Sequence, residues 1–251
     1  MQIKALWPAL IIVAGCTNGV AQESRAAPSD DVAEARSTGE VTSRDYNLSG
    51  FTHVALMTPD NVEIVQGATF SVRATGDVRI LDELEFNIED GGLNIEYRDE
   101  GEHRFNHRRI PAATITITMP SLNGVSLAGS GDMEVGTFAA QEFEVSIAGS
   151  GNVAIASLQT GSAHFDIAGS GDLSVAGTAG SIDLDIAGSG DVAAADFRAE
   201  SMELSIAGSG DVNAYVTGTV DASFVGSGDV TVRGGARCQS SAIGSGRLDC
   251  S

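Results

Sequence analysis

The stretch Met202-Glu203-Leu204-Ser205-Ile206-Ala207-Gly208-Ser209-Gly210-Asp211-Val212-Asn213-Ala214-Tyr215-Val216 decides the fold. Apolar residues alternate at 202, 204 and 206 and again at 212, 214 and 216, the period-2 pattern of strands with one buried face. Gly-Ser-Gly between the two runs reads as a corner, because glycine accepts φ > 0 and lets a neighbouring chain lie close. The phrase recurs seven times, opening at Gly129, Gly149, Gly169, Gly188, Gly208, Gly226 and Gly244. The second glycines are Gly131, Gly151, Gly171, Gly190, Gly210, Gly228 and Gly246. Successive copies start 20, 20, 19, 20, 18 and 18 residues apart. A fixed period of this size marks a solenoid with one repeat per coil.

The chain is therefore expected to be all-β, a single-stranded parallel β-helix of about seven coils of 18–20 residues. Each coil reads as strand, corner, strand and loose turn. No proline follows Pro120, which suits strands paired on both edges and needing every N–H. A leucine-rich repeat would need an L-x-x-L-x-L frame and a helical segment. A calcium-binding roll would need G-G-x-G-x-D in tandem about every nine residues, not one Gly-Ser-Gly-Asp per coil. In the last coil, aligning Gly244 on Gly208 puts Cys238 where Met202 stands and Cys250 where Ala214 stands, both inward. An exported chain is expected to oxidise such a pair. The resulting disulfide would close an end where Ser240 replaces Leu204 and Ala242 replaces Ile206.

The N-terminus reads as an export signal. Met1-Gln2-Ile3-Lys4 is followed by an apolar run from Ala5 to Ala14, too short to span a bilayer. Val13-Ala14-Gly15-Cys16 resembles the bacterial lipobox, which implies cleavage after residue 15 and lipidation of Cys16. By the same resemblance, Thr17 after the cysteine favours the outer membrane. The alternative is an ordinary secretory signal with a chance cysteine. Residues 16–45 are rich in Ala, Ser, Thr and charge and read as a flexible tether.

Residues 46–120 form a β-patterned N-terminal module without the Gly-Ser-Gly phrase. Strands are expected over 51–57, 62–65, 69–74, 85–88, 93–97 and 113–119, with one helical turn over 80–84. This module would cap the N-terminal end of the repeat region, residues 121–251, and share its core. Leu48-Ser49-Gly50-Phe51 with Val54, Val62-Glu63-Ile64-Val65, the segment from Leu84 to Ile95, Thr114 to Pro120 and the Ala-Gly-Ser-Gly-Asp coils together resemble the "putative auto-transporter adhesin, head GIN domain" family over about 46–235. The resemblance implies a secreted or envelope-anchored bacterial β-helical domain with an adhesin role, and it carries over no catalytic residue and no cofactor. The lipobox departs from an auto-transporter, whose barrel is not expected here.

Charge narrows the partners. The chain carries −20, its one lysine is Lys4, and from 110 onward 16 acidic residues face four arginines, Arg198, Arg233, Arg237 and Arg247. That argues against nucleic acid and against docking on anionic lipid. The basic run His103-Arg104-Phe105-Asn106-His107-Arg108-Arg109 could receive an acidic glycan or lipid headgroup, or simply solvate a loop. Asp132, Asn152, Asp172, Asp191, Asp211 and Asp229 should line one corner as a ladder. Exposed like charges about 5 Å apart repel by only ~0.8 kcal/mol in water, so no cation is required. Each aspartate is expected to cap its own turn, the alternative being a cation edge at Asp172, Asp191, Asp211 and Asp229. No metal ligand set and no Ser–His–Asp arrangement can be drawn from His53, His103, His107 and His164. The expected function is a non-enzymatic, adhesin-like lipoprotein, membrane-bound through Cys16, with a glycan or envelope protein as ligand. The alternatives are a structural envelope lipoprotein without a ligand and a polysaccharide-active β-helix enzyme.

Overall fold

The structure, a computed structural model, describes residues 39–98 and 110–251. The signal segment 1–15, Cys16, most of the tether and the run His103–Arg109 lie outside the described residues. In chain order the elements are β1 (Val41–Tyr46), β2 (His53–Leu56), β3 (Asn61–Gln66), β4 (Ser71–Asp77), α1 (Val78–Glu83), β5 (Leu84–Glu89), β6 (Gly92–Tyr97), β7 (Thr114–Met119) and β8 (Gly124–Gly129). The long repeat strands follow as β9 (Met133–Gly149), β10 (Val153–Gly169), β11 (Leu173–Gly188), β12 (Val192–Gly208) and β13 (Val212–Gly226), then β14 (Asp229–Arg233), β15 (Arg237–Gly244) and β16 (Arg247–Cys250). All sixteen strands belong to one continuous sheet.

Parallel pairing in register turns the sequence repeat into a spatial one. Gly149 lies beside Gly129, Gly169 beside Gly149, Gly188 beside Gly169, Gly208 beside Gly188, Gly226 beside Gly208 and Gly244 beside Gly226. Six full turns thus separate the first corner from the seventh, a β-solenoid of about six turns. Inward columns run the length of the stack, such as Ile147, Ile167, Ile186, Ile206 and Phe224, all buried. Burying these side chains is the main favourable term in the fold.

The expected loose turn is instead a third face. β9 to β13 run 15–17 residues without a break, and Phe138, Leu158, Phe197 and Val216 point inward from their middles. With one or two buried apolar residues per coil at no fixed offset, this face leaves no sustained alternation in the sequence. Gly177 takes the place of Leu158 and Phe197 in that column, and the Phe197 ring leans to within 6.1 Å of the Phe165 centroid.

The N-terminal module departs from a simple cap. β2 lies between β6 and β8, and β3 between β7 and β9, all parallel. β2 with β3 and β6 with β7 therefore belong to two further coils, stacked against chain order, with the later one outermost. The cap proper is antiparallel: β5 on β6, β4 on β7 and β1 on β4. Asp90 (φ +48) and Gly91 (φ +79) make the two-residue turn that folds β5 back onto β6. Asp77 caps α1 by accepting the N–H of Arg79 at 2.9 Å, and α1 buries Ile80 and Leu81. All of β1 but Tyr46 falls inside the stretch read as tether. Val41 is 71% exposed and no residue of β1 is fully buried, so no apolar pattern marked it. Backbone pairing and the surface ion pairs Asp45–Arg73 (2.6 Å) and Arg44–Asp82 (2.5 Å) hold it.

The two glycines of a corner are needed for different reasons. Gly188 has φ +145, whereas Gly190 has no left-handed φ. A Cβ on Gly190 would collide with the carbonyl oxygen of Gly171 and press on Cγ2 of Ile167 at 2.8 Å. Of the two reasons expected for a corner glycine, the second glycine is thus required by close approach alone. At the far end Cys238 pairs beside Val220 and Cys250 beside Val232, the inward columns, and the two cysteines form a disulfide with Cα atoms 6.6 Å apart. With no described coil beyond it, Cys250 is exposed and Cys238 half-buried.

Two predictions follow from corner and end. Gly190→Val should cost about 4 kcal/mol or more or prevent folding, against about 1–3 kcal/mol for Ala194→Val, a buried strand residue; equal melting temperatures would contradict the close-stacked corner. Cys250→Ser should lower stability by about 2–3 kcal/mol, and thiol titration of the denatured, unreduced wild type should find Cys238 and Cys250 unreactive. Two reactive thiols would contradict the bridge.

Candidate functional site

The conspicuous polar feature is the corner column. Asn61 Oδ1 accepts the backbone N–H of Asp132 at 3.3 Å, Asp132 Oδ1 that of Asn152 at 3.1 Å, and Asn152 Oδ1 that of Asp172 at 3.1 Å. The ladder continues from Asp172 to Asp191, Asp191 to Asp211 and Asp211 to Asp229 at 2.9, 2.9 and 2.8 Å. Each side chain therefore serves the next coil, not its own turn as the sequence suggested. Corner serines do the same through their backbone, as Ser170 N–H to Gly149 O at 2.8 Å. The ladder stops at Arg247, whose N–H turns to the Gly228 carbonyl at 3.3 Å. Asn152 also donates its side-chain N–H to Asp132 at 2.9 Å, relieving charge at that rung. One oxygen of each of Asp132, Asp172, Asp191 and Asp211 is thus committed to the fold. Asp172, Asp191, Asp211 and Asp229 form a line, and among the described residues no group of three or more His, Cys, Asp or Glu converges to hold a metal.

The ladder also exposes a corner in the gap between the strands expected over 51–57 and 62–65. Thr58-Pro59-Asp60-Asn61 stands where Gly-Ser-Gly-Asp stands elsewhere, since Val62 pairs beside Met133. Asp60 takes the second glycine's place and is fully buried. Its carboxylate accepts from Thr58 Oγ1 at 2.9 Å, the Tyr97 hydroxyl at 2.8 Å and the Ala113 N–H at 2.7 Å. Burial, reinforced by the Asp60 charge, holds the Tyr97 hydroxyl far above the usual tyrosine range, so it remains a donor. The available signal was Val62-Glu63-Ile64, which repeats the alternation of Met133-Glu134-Val135 directly after the break.

The lateral faces are open. One column places Glu144, His164, Asp183, Glu203 and Asp221 side by side, bordered by Asp166 and Asp185. His164 reaches Asp166 at 3.1 Å and Asp183 at 3.3 Å. A shallow groove of about 590 Å³ lies along this acidic face between Asp183 and Ser241. A second groove, about 480 Å³, is floored by small residues including Gly136, Ala154, Ala176 and Ala193, with Glu134 and Asp196 on its rim. His53 on β2 meets the Ser126 hydroxyl at 2.8 Å, and burial holds its imidazole below the usual histidine range against the opposing pull of Glu144. It is thus neutral at pH 7 and adds no cation to this surface.

No curated protein matches the chain. Among solved structures, one described as a "putative adhesin" from Bacteroides fragilis is 26% identical with TM-score 0.76, over 84% of this chain and 97% of that one. Another, described as a "putative lipid binding protein" from Parabacteroides distasonis, is 25% identical with TM-score 0.69, over 85% of this chain and 97% of that one. A "putative adhesin" from Parabacteroides merdae, 16% identical with TM-score 0.58 over 85% of this chain and 97% of that one, shares the fold. The family described as "Putative auto-transporter adhesin, head GIN domain" matches residues 50–236, and the chain belongs to that family.

Proposed function

We propose that the chain is an envelope-anchored, non-enzymatic lipoprotein of adhesin type. It is held to a bacterial membrane, the outer membrane by the Thr17 rule, through lipidated Cys16, and its β-helical head engages a glycan or an envelope protein. The observation that carries this reading is the form of the lateral faces. They are long and open, and side chains of one kind recur along them at about the 4.8 Å strand spacing, so an extended ligand meets the same chemistry several times. Acid–base or nucleophilic catalysis needs groups converging on one reacting atom, whereas these columns run parallel. Membership of the adhesin family supports the binding role. Val13-Ala14-Gly15-Cys16 supports the anchor, since acyl chains contribute ~0.8 kcal/mol per buried CH₂ and two or more of them hold a protein stably. The acidic head itself would be repelled by nucleic acid and by anionic lipid.

Cys16→Ser is expected to move the chain out of the detergent-phase membrane fraction. Cells carrying the wild type, and not the variant, should be retained on a panel of immobilised glycans and envelope proteins. Unchanged fractionation of the variant would contradict the anchor. An anchored chain that confers retention on no member of the panel would contradict the binding role.

A further inference from the structure

One column on the third face runs against the chemistry of the rest of the surface. Register places Gln159, Thr178, Arg198, Tyr215 and Arg233 on successive coils, one above the next. Two of the four arginines after residue 110 thus flank the only tyrosine after that point. Their meeting is a consequence of the change in coil length from 20 to 18 residues after Gly208. Ala194 pairs beside Ala214, but the next matched pair is Arg198 beside Tyr215, so 195–197 have no counterpart in β13 and Tyr215 is drawn beneath Arg198. Each member is held outward by buried neighbours in the chain: Phe197 and Ala199, Ala214 and Val216, and Val232.

The Arg198 guanidinium lies over the Tyr215 ring, 4.6 Å from its centroid. Stacking of this kind fixes the plane of the guanidinium and leaves its N–H donors at the edge free for an anion. Among the described residues neither Arg198 nor Arg233 has an ion pair within 4.0 Å, although Asp196 and Glu200 lie on the same coil as Arg198. Two unpaired, outward-facing cations in a chain of net charge −20 are not accounted for by the fold. They stand two coils apart, roughly 9–10 Å by the strand spacing.

We propose that Arg198, Tyr215 and Arg233 form a binding site for an acidic glycan in which uronic acids alternate with neutral sugars. The two guanidiniums take carboxylates two sugars apart. The Tyr215 hydroxyl, Thr178, Gln159 and the carboxylates of Asp196 and Glu200 meet the sugar hydroxyls between and beside them. A densely charged polyanion is disfavoured by those same carboxylates and by the acidic faces around the site. This assignment names a ligand class for the binding role proposed above and rests on it.

The test uses the full chain in detergent and a fluorescent hyaluronan oligosaccharide, whose uronic acids alternate with neutral N-acetylated sugars. Binding is expected to weaken as salt rises, and to fall roughly tenfold or more for Arg198→Gln and for Arg233→Gln, as loss of a charge-assisted hydrogen bond predicts. Carboxyl-reduced oligosaccharide should bind no better than the variants, and melting temperatures should be unchanged. Equal binding of hyaluronan by the wild type and the double variant would overturn the site. So would wild-type failure to bind hyaluronan while the glycan and envelope-protein panel finds another ligand, and in that case the binding role stands. Failure with every member of the panel would overturn both.

Discussion

Everything in this protein depends on how closely one coil can lie on the next at the corner. There the backbone of one Gly-Ser-Gly touches the backbone of the one before, with no side chain between them. Backbone groups at a turn are normally left to water or to local caps, and leaving them unmet inside a stack would be costly. Here the neighbouring coil meets them. The serine N–H finds the preceding glycine carbonyl, the aspartate N–H finds the preceding Asx side chain, and the aspartate carbonyl takes an N–H from the coil before, as from Val153 to Asp172 at 2.9 Å. With the corner fixed, the alternation of the flanking strands has one register available, because a shift of one residue would turn every inward side chain to water.

A stack of identical coils has two ends, and this chain treats them differently. At the N-terminal end the coil order is inverted, an antiparallel layer covers the outermost coil, and Asp60 fills a corner with a buried carboxylate held by three donors. At the C-terminal end the inward columns shrink from Leu204 and Ile206, through Ala222 and Phe224, to Ser240 and Ala242. Too little apolar area is left there to hold the coil, and the Cys238–Cys250 bridge supplies a covalent constraint instead.

The repeat region was legible because its information is local and periodic. Glycine pairs at a fixed spacing, alternating apolar residues and a cysteine pair at aligned positions lead to the register and the disulfide. What was not legible lacks a period. The third face rests on one or two residues per coil, such as Phe138 or Leu158. β1 buries no residue fully, and its pairing with β4 is a matter of backbone. The inverted order of the first coils depends on contacts between segments far apart in the chain. The corner at Thr58–Asn61 was hidden because Asp60 does by hydrogen bonding what glycine does elsewhere by absence of a side chain. The carboxylate ladder was visible as a column, but not that the carboxylates up to Asp211 serve the following coil.

The same regularity that makes the fold readable leaves most of the surface repetitive, and departures from the repeat are where the surface chemistry changes. The shortened coils that bring Tyr215 under Arg198 are one such departure. The central claim remains physical: exposed corner amides are bonded from coil to coil. Native-state hydrogen exchange at the N–H groups of Asp172, Asp191 and Asp211 tests it most directly. The account predicts protection comparable to that of the flanking strand amides although these residues face solvent. Exchange at unfolded-chain rates at all three, with the strands still protected, would contradict it.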